Sequence, residues 1–210
     1  MSQDCPVYCH KKERGPEHPP ATSRALDLGK TMVIIAVYKL LRKGKDLLVI
    51  HNDASDPIIC PECRGRLNYR DSRKRIWKHE GGVVERLIVR RLYCAACKRL
   101  HTELPDCVSP YKHYETATIC GVIEGIVTAE DEDSESYPCE ATMKRWHEWF
   151  RQNRTALQGH INRTCYELNF SSTNANRPLL EQIQEKYRNW LEIIIRIVYN
   201  SGGRIAPLQC

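Results

Sequence analysis

The chain has 210 residues, of which 41% are hydrophobic and 28% are charged, and it carries a formal net charge of +6. These proportions are typical of a soluble globular protein with one or two domains. No uninterrupted run of about 18 apolar residues occurs, and the polar N-terminus is unlike a signal peptide, so we expect no membrane segment. In the cytoplasm, the expected location, the eleven cysteines stay reduced, which favours metal binding over disulfides.

Positive charge is concentrated between Cys60 and His101. This segment contains twelve Lys or Arg residues against four Asp or Glu residues, an excess that is larger than the net charge of the whole chain. The remaining residues are therefore slightly acidic in sum. A segment of this kind favours a polyanionic partner.

The N-terminal part of the chain divides into two predicted regions. Residues 1–30 are rich in Pro, Lys, Glu and His without apolar periodicity, which predicts a disordered extension. Residues 31–112 are predicted to be β-rich. They begin with a strand in TMVIIAVY, a short helix or turn around KLLRKGKD and a second strand in LLVIHN.

Two cysteine pairs, Cys60-x2-Cys63 and Cys94-x2-Cys97, flank thirty intervening residues. Each pair can form a tight turn, and two such turns supply four thiolates at roughly 2.3 Å from one tetrahedral Zn²⁺. All four positions around the ion are then filled, which predicts one structural zinc. His101 and Cys107 are alternative ligands, although a role outside the metal site is the stronger interpretation for both. A redox pair is the weaker alternative, because it needs one Cys-x2-Cys at a strand-to-helix turn.

The interval between the two pairs is long for a zinc ribbon, and a long β-hairpin accommodates it. RLNYR and RKRIWKH form the predicted outgoing strand, Gly81-Gly82 the bend, and VVERLIVRRLY the return strand. Because side chains alternate between the two faces of a strand, the return strand presents basic residues on both faces.

Helices are predicted in the rest of the chain. Residues 113–168 contain two, separated by the acidic linker EDEDSESYP, and the second begins at Pro138. The predicted apolar positions are Ala117, Cys120, Ile123 and Val127 in the first helix, and Met143, Trp146, Phe150, Leu157 and Ile161 in the second, with Trp149 at the margin. Residues 169–210 contain a last amphipathic helix, 178–199, and a tail. The wide apolar face of this helix needs cover, either from the same chain or from a second copy in a homodimer.

The predicted fold class is therefore α+β: an N-terminal β-rich segment and a four-cysteine zinc ribbon, followed by an all-helical, helix-turn-helix-like region. The succession CPEC, RRLYCAACKRLHTELPDCVSPYKHYE and EATMKRWHEWF resembles the N-terminal DNA-binding region of bacterial insertion-sequence transposases, over roughly residues 32–155. It is more similar still to small bacterial proteins of uncharacterised function that combine such a ribbon with LPDxxxPYxxY and a Thr-x-x-x-Trp helix. The matching positions are Leu104, Pro105, Asp106, Pro110, Tyr111, Tyr114, Thr142 and Trp146.

The resemblance implies DNA binding, with a separately encoded transposase as a candidate partner. It does not imply catalysis, because a transposase core places three carboxylates on a large α/β domain for which too few residues remain. We also find no paired carboxylates, nucleophile–base set or open metal site, and therefore expect a protein that is not an enzyme.

The resulting prediction is a zinc-dependent protein, transposon-associated or regulatory, that binds double-stranded DNA at the nucleoid. The ribbon would neutralise phosphates, and the helix after Pro138 would read base edges. The predicted phosphate contacts are Arg73, Lys74, Arg75, Lys78, Arg86, Arg90, Arg91, Lys98 and Arg99. The predicted base-reading face comprises Thr142, Lys144, Arg145, Glu148 and Arg151. The alternative is a zinc-ribbon adaptor that docks on a transposase or a polymerase.

Overall fold

The computed structural model describes residues 31–51, 58–79, 82–130, 138–169 and 176–207. The extension predicted for residues 1–30 and most of the acidic linker lie outside these ranges. The strands of the described part are β1 Thr31–Ile35, β2 Tyr38–Lys43, β3 Asp46–His51, β4 Leu67–Lys78, β5 Val84–Cys94 and β6 Leu100–Pro105. The helices are α1 Thr116–Ile123, α2 Glu140–Glu167, α3 Leu179–Lys186 and α4 Trp190–Asn200.

All six strands belong to one mixed sheet, organised around β5. β4 pairs antiparallel with β5 from Leu67↔Cys94 to Lys78↔Val84, which confirms the long hairpin at the level of its two strands. The other edge of β5 is shared, because β3 pairs parallel with it at Leu87 and Ile88 and β6 pairs antiparallel with it further along. β1 lies parallel to β6, and β2 forms a hairpin with β3.

The predicted fold class is wrong in its arrangement. The β-rich segment and the cysteine hairpin are not successive units but parts of the same six-stranded sheet. The helices lie against this sheet, with α4 packed on β1 and contacting α1 and α2, so they do not form a separate helix-turn-helix-like region. The physical reason is that a long isolated hairpin leaves a free edge and an apolar face, and each must be covered.

The main core lies between the sheet and the helices. Leu87 and Val89 of β5 are fully buried there, together with Met32 and Ile34 of β1. The apolar face of α4 completes this core from the helix side with Trp190, Leu191, Ile194, Ile195, Val198 and Tyr199. Burial of one such side chain contributes about 1.5–3 kcal/mol, so this layer is a major source of stability. The face for which the sequence predicted a need for cover is thus buried within the chain, and the homodimer stays a prediction.

A second, smaller core lies on the opposite face of the sheet. Val33, Leu67 and Leu92 are buried there together with Cys60 and Cys94. The buried side chains of β5 are at Leu87 and Val89 and then at Leu92 and Cys94. Because neighbouring side chains alternate between faces, the apolar side chains switch from the helix-covered face to the face that carries the cysteine turns. The cysteine turns therefore sit on an apolar base.

The predicted apolar positions of the first helix are only partly correct. α1 ends at Ile123, so Val127 lies outside it, and Ala117 is exposed whereas Ile119 and Val122 are buried.

Two further helical predictions differ from the structure in detail. The helix predicted for 178–199 is two helices, α3 and α4, because Tyr187 is extended (φ −127°, ψ 123°). The break allows Trp190 to be fully buried, where its Nε1 donates a 2.6 Å hydrogen bond to Glu124 Oε1. In α2, Trp149 is buried rather than marginal, and Asn153 is buried beside it. No helix in the described ranges is both long and apolar enough to cross a membrane.

The helix or turn predicted around residues 39–46 is mostly strand. β2 runs through it to Lys43, and only a two-residue turn beginning at Gly44 (φ 63°) connects it to β3. The left-handed conformation of Gly44 suits the tight turn of a β-hairpin, and pairing with β3 outweighs the local helical pattern.

The C-terminal end of α4 links the sheet to the first cysteine turn. The side-chain amide of Asn200 accepts a hydrogen bond from Ile34 N (2.9 Å) and donates one to Ile34 O (2.8 Å), so it satisfies the free edge of β1. The following Gly202 has a φ of 80°, and a Cβ built on it would lie 2.9 Å from Pro61 O. Only glycine fits this position without strain.

We expect Gly202→Ala to destabilise the metal-loaded protein by about 1 kcal/mol or more, because alanine disfavours a positive φ and its methyl group would collide with backbone. Urea unfolding measures the change. Gly159→Ala is the matched control, since its Cβ meets nothing within 4 Å in the exposed part of α2. That control should be neutral or stabilising by up to about 1 kcal/mol. Equal effects of the two substitutions would contradict the assigned contact.

Candidate metal centre

The two cysteine turns have the same backbone geometry. The amide of Cys60 donates to Gly65 O (2.8 Å), and the amide of Cys94 donates to Arg99 O (2.9 Å). The residue after each second cysteine is left-handed, with φ of 63° at Arg64 and 59° at Lys98. Two separate pieces of chain thus fold into matching turns that face each other from the ends of the hairpin strands.

The four sulfur atoms form one cluster. The Sγ atoms of Cys60, Cys63, Cys94 and Cys97 lie within 4.8 Å of one another. The Cys60–Cys97 and Cys63–Cys94 separations are 3.7 and 3.5 Å. Four thiolates around a tetrahedral ion at 2.3 Å lie about 3.8 Å apart, so these distances fit one metal ion. The prediction that these four cysteines meet is confirmed, and they can hold one metal ion.

Gly65 allows the two turns to approach each other closely. A Cβ at this position would lie 3.1 Å from Ala96 Cβ, 3.3 Å from Cys63 Sγ and 3.4 Å from Cys94 Sγ. A larger residue would press on both a sulfur atom and the opposite turn. The absence of a side chain at Gly65 is therefore part of how the cluster closes.

The surroundings lower the pKa of one thiol of the cluster and raise the pKa of two others. The backbone amide of Cys97 is the main cause that lowers the pKa of Cys94 to about 7. Burial is the main cause that raises the pKa of Cys97 to about 12, and burial also raises the pKa of Cys60. Burial therefore opposes ionisation of Cys60 and Cys97, and a divalent metal ion at the cluster would supply the charge that keeps all four thiols deprotonated.

His101 and Cys107, the alternative ligands, occupy different places. His101 is fully buried, and its Nε2 lies 3.3 Å from Cys60 Sγ. It thus contacts a cluster sulfur without joining the group of four. Cys107 lies instead beside Tyr38, and burial raises its pKa to about 12. The structure therefore favours the four-cysteine set.

Ion pairs surround the first turn. Glu62 accepts from Arg99 at 2.7 Å and lies 3.5 Å from Arg204 of the C-terminal tail. These contacts join both cysteine turns and the tail around one carboxylate. Being partly exposed, each pair stabilises only modestly, by up to about 1 kcal/mol.

The hairpin cations that were predicted to contact phosphates fall into two groups. Five have a carboxylate partner: Lys74 and Arg86 with Asp46, Arg90 with Glu103, Arg91 with Asp71, and Arg99 with Glu62. The other four, Arg73, Arg75, Lys78 and Lys98, have no carboxylate partner among the described residues. Lys78 instead places its Nζ 5.0 Å from the centre of the Tyr114 ring. The phosphate-contact assignment itself stays a prediction.

The side chains predicted to read bases lie on α2 and contact neighbouring residues of the same helix. Lys144 pairs with Glu140 at 2.6 Å, and Arg151 pairs with Glu148 at 2.7 Å. The Arg145 Nε donates to Ala141 O at 3.1 Å, and its Nη2 lies 3.5 Å from the Thr142 hydroxyl. Lys144, Arg145 and Arg151 are exposed, whereas Thr142 and Glu148 are half-buried. Base reading stays a prediction.

The segment LPDCVSPYKHY, residues 104–114 and here named the Pro–Tyr segment, connects the sheet to the helices. The Thr116 hydroxyl donates to Asp106 O at 2.8 Å, and Asp106 itself lies 3.4 Å from Arg196 of α4. Tyr114 packs edge-on against Trp146 of α2, with ring centres 5.1 Å apart. Asp106 and Tyr114 of the LPDxxxPYxxY pattern thus contribute to the packing of α1, α2 and α4 at the end of β6.

Sequence reasoning missed three residues of the metal centre. Gly65 approaches the sulfur atoms, and Arg64 and Arg66 flank it as exposed cations with no carboxylate partner in the described part of the chain. The signal was available, since Arg64-Gly65-Arg66 directly follows the first cysteine pair.

Residues 60–146 match a protein-family model described as a domain of unknown function, DUF6431. The matched span begins at the first cysteine of the cluster and ends at Trp146, so it includes both turns, the hairpin and the Pro–Tyr segment. No curated protein and no solved structure matches the chain. The match groups the metal centre with the start of α2 and assigns it no activity.

We expect Cys94→Ser to lose the metal ion and to unfold at a markedly lower temperature. Cys94 is fully buried in the smaller core, and metal binding by such clusters contributes on the order of 10 kcal/mol. Metal content and thermal unfolding measure both effects. Cys139→Ser is the control, because Cys139 is exposed at the start of α2. A Cys94→Ser protein with one metal equivalent and the thermal stability of the parent would refute the site.

Proposed function

We propose that the chain is a DNA-binding protein in which one structural Zn²⁺ holds a cationic surface in place. Zinc is the ion that best suits four thiolates in a closed tetrahedral site, since it has no redox chemistry and needs no open position. Binding, rather than catalysis, is the role that a filled coordination shell supports.

We expect the protein purified from cells to contain one zinc per chain, as measured by elemental analysis. Replacement by Co²⁺ should produce the intense absorption of a tetrahedral cobalt–thiolate site, because the four ligands are sulfur. One equivalent of iron, with a coloured protein, would overturn the choice of zinc while leaving the four-cysteine site intact.

The observation that carries the DNA proposal is the amount of uncompensated positive charge around the metal. Of the twelve cations between Cys60 and His101, only six lie within 4.0 Å of a carboxylate of the described residues. Three of the others, Arg64, Arg66 and Lys98, are exposed on the two cysteine turns. Their side chains are available to neutralise phosphates of a polyanion.

The expected binding mode is dominated by phosphate contacts. The cysteine turns would be held by the metal and by the strands that flank them, so the backbone positions of their cations are fixed relative to one another before any DNA is bound. Such preorganisation lowers the conformational cost of binding. The resemblance to transposase DNA-binding regions supports duplex DNA as the polyanion. The exposed side of α2 remains the predicted base-reading element, and phosphate binding does not depend on it.

The test removes the three exposed cations of the turns together, as Arg64→Gln, Arg66→Gln and Lys98→Gln. We expect weaker binding to any duplex sequence, and a slope of log Kd against log salt that falls by about 0.9 for each lost phosphate contact. Fluorescence anisotropy over a salt series measures both. A control of equal charge change carries Arg163→Gln, Arg177→Gln and Lys186→Gln on or next to α2 and α3.

The proposal fails if the control triple variant loses as much affinity as the test variant, or if the parent protein shows no salt-dependent binding to duplex DNA. Each variant should first be shown to keep its zinc and its unfolding temperature. This excludes loss of the fold as the cause of weaker binding.

A second candidate, a zinc-dependent adaptor for a transposase or polymerase, is favoured by apolar side chains that no described residue covers, on the sheet face opposite the helices. Residues opposite each other in neighbouring strands share a face, and the pairs Leu41↔Leu48 and Leu48↔Ile88 define the face turned away from the helices. Large apolar side chains are exposed on it: Leu41 at 50%, Ile50 at 36%, Ile76 at 43% and Val84 at 58%. Capture of a protein partner that persists in nuclease and high salt would favour the adaptor over DNA binding.

A further inference from the structure

Two arginines of β4 point to the helix side of the sheet. Arg73 pairs with Val89 and Arg75 with Leu87 across the hairpin, and both partners are fully buried in the main core. Because opposite residues share a face, the two arginines enter the layer in which apolar side chains predominate. Lys74, between them on the same strand, points to the other face and pairs with Asp46 at 2.7 Å.

Arg75 donates hydrogen bonds to the turn 109–112 of the Pro–Tyr segment, which we call the Pro–Tyr turn. Its Nη2 donates to Ser109 O at 2.8 Å and to Lys112 O at 2.7 Å, and the Lys112 amide closes the same turn onto Ser109 O at 3.3 Å. Tyr111, within the turn, has a left-handed backbone (φ 62°) and is 45% exposed. A non-glycine residue in this conformation is held there by its surroundings, and such strain is often found at binding sites.

The two guanidinium groups lack a counter-ion in the part of the chain that the structure describes. The Nε atoms of Arg73 and Arg75 are both buried, and neither has a hydrogen-bond acceptor there. The arginines of the neighbouring strand differ, since Arg86, Arg90 and Arg91 each bond a carboxylate. Leaving a buried charged donor without an acceptor is costly, about 1–3 kcal/mol or more.

The electrostatic surroundings agree with this geometry. The pKa of Arg75 is lowered to about 10, first by burial and then by the positive charge of Arg73. The other ionisable groups that act on Arg75 are the phenols of Tyr111 and Tyr199. Two cations are therefore held near each other, and the described groups that act on Arg75 beside Arg73 are hydroxyls and not carboxylates.

We propose that Arg73 and Arg75 form a binding site for a phosphate-class dianion next to Tyr111. The dianion would neutralise the repulsion between the two half-buried guanidinium groups and accept hydrogen bonds from the outer N–H groups of their forks. Arginine is suited to this role because its planar fork binds two oxygens of one phosphate. The site goes beyond the proposed function, since it requires no duplex. Its ligand is free phosphate or the terminal phosphate of a nucleotide chain, and these share one chemistry.

The experiment measures binding of inorganic phosphate to the full zinc-loaded chain by calorimetry, and its effect on thermal unfolding against chloride at equal ionic strength. We expect phosphate to bind and to raise the unfolding temperature. Arg73→Gln should weaken this binding about tenfold or more, because one charge-assisted bidentate contact is lost. Lys74→Gln is the matched control, with the same charge change on the same strand and the opposite face, and should bind within about twofold of the parent.

A further variant separates binding from folding. Arg75→Lys keeps the charge but loses the fork, and it should also weaken phosphate binding while reporting how far the Pro–Tyr turn depends on Arg75. The assignment is overturned if the parent gains no more from phosphate than from chloride, or if Arg73→Gln binds phosphate as the parent does.

The two phosphate sources are distinguished with single-stranded oligonucleotides. If the terminal phosphate is the ligand, a 5′-phosphorylated oligonucleotide should bind the parent more tightly than the same strand without the phosphate, and Arg73→Gln should remove the difference. If free phosphate is the ligand, inorganic phosphate binds and the two oligonucleotides do not differ. Both outcomes support the site, and loss of duplex binding in the triple variant of the cysteine turns has no bearing on either.

Discussion

Strand β5 is hydrogen-bonded along both of its edges, and the rest of the structure depends on this pairing. β4 occupies one edge from end to end, while β3 and β6 divide the other. The strand ends at Cys94 in the metal centre, and its middle contributes Leu87 and Val89 to the helix-covered core. The metal centre and the helix layer are therefore joined through one continuous backbone, so the position of the cysteine turns relative to the helices is set by the sheet.

The metal centre is also tied to the opposite end of the chain. Gly202 lies against the backbone of Pro61, and Arg204 lies 3.5 Å from Glu62. Asn200, at the end of α4, forms two hydrogen bonds with the backbone of Ile34 on the free edge of β1. Loss of the ion would thus disturb contacts of the last helix as well as the two turns. The stability of the cysteine turns and the packing of the C-terminal residues therefore depend on each other.

The sequence allowed prediction of the features that local patterns determine. Two Cys-x2-Cys pairs supply the four thiols, alternation between them predicts two long strands, and 3.6-residue periodicity predicts the buried stripe of α2. It did not allow prediction of which strands share the edges of β5, because β3 and β6 reach it from distant parts of the chain and nothing local marks the pairing. The same holds for the break near Tyr187, which follows from burying Trp190 beside Glu124 in the assembled core.

Charge counting along the sequence overestimates the unpaired positive charge of the hairpin, and the structure gives the reason. Asp46 pairs with both Lys74 and Arg86, and the nearly fully buried Glu103 holds Arg90 through two hydrogen bonds. Asp46 lies at the start of β3, far from the hairpin in sequence, so its effect is visible only once β3 pairs with β5. These pairs stabilise neighbouring strands. Of the cations between Cys60 and His101, those with no carboxylate partner among the described residues therefore lie mainly at the cysteine turns and on the inner face of β4.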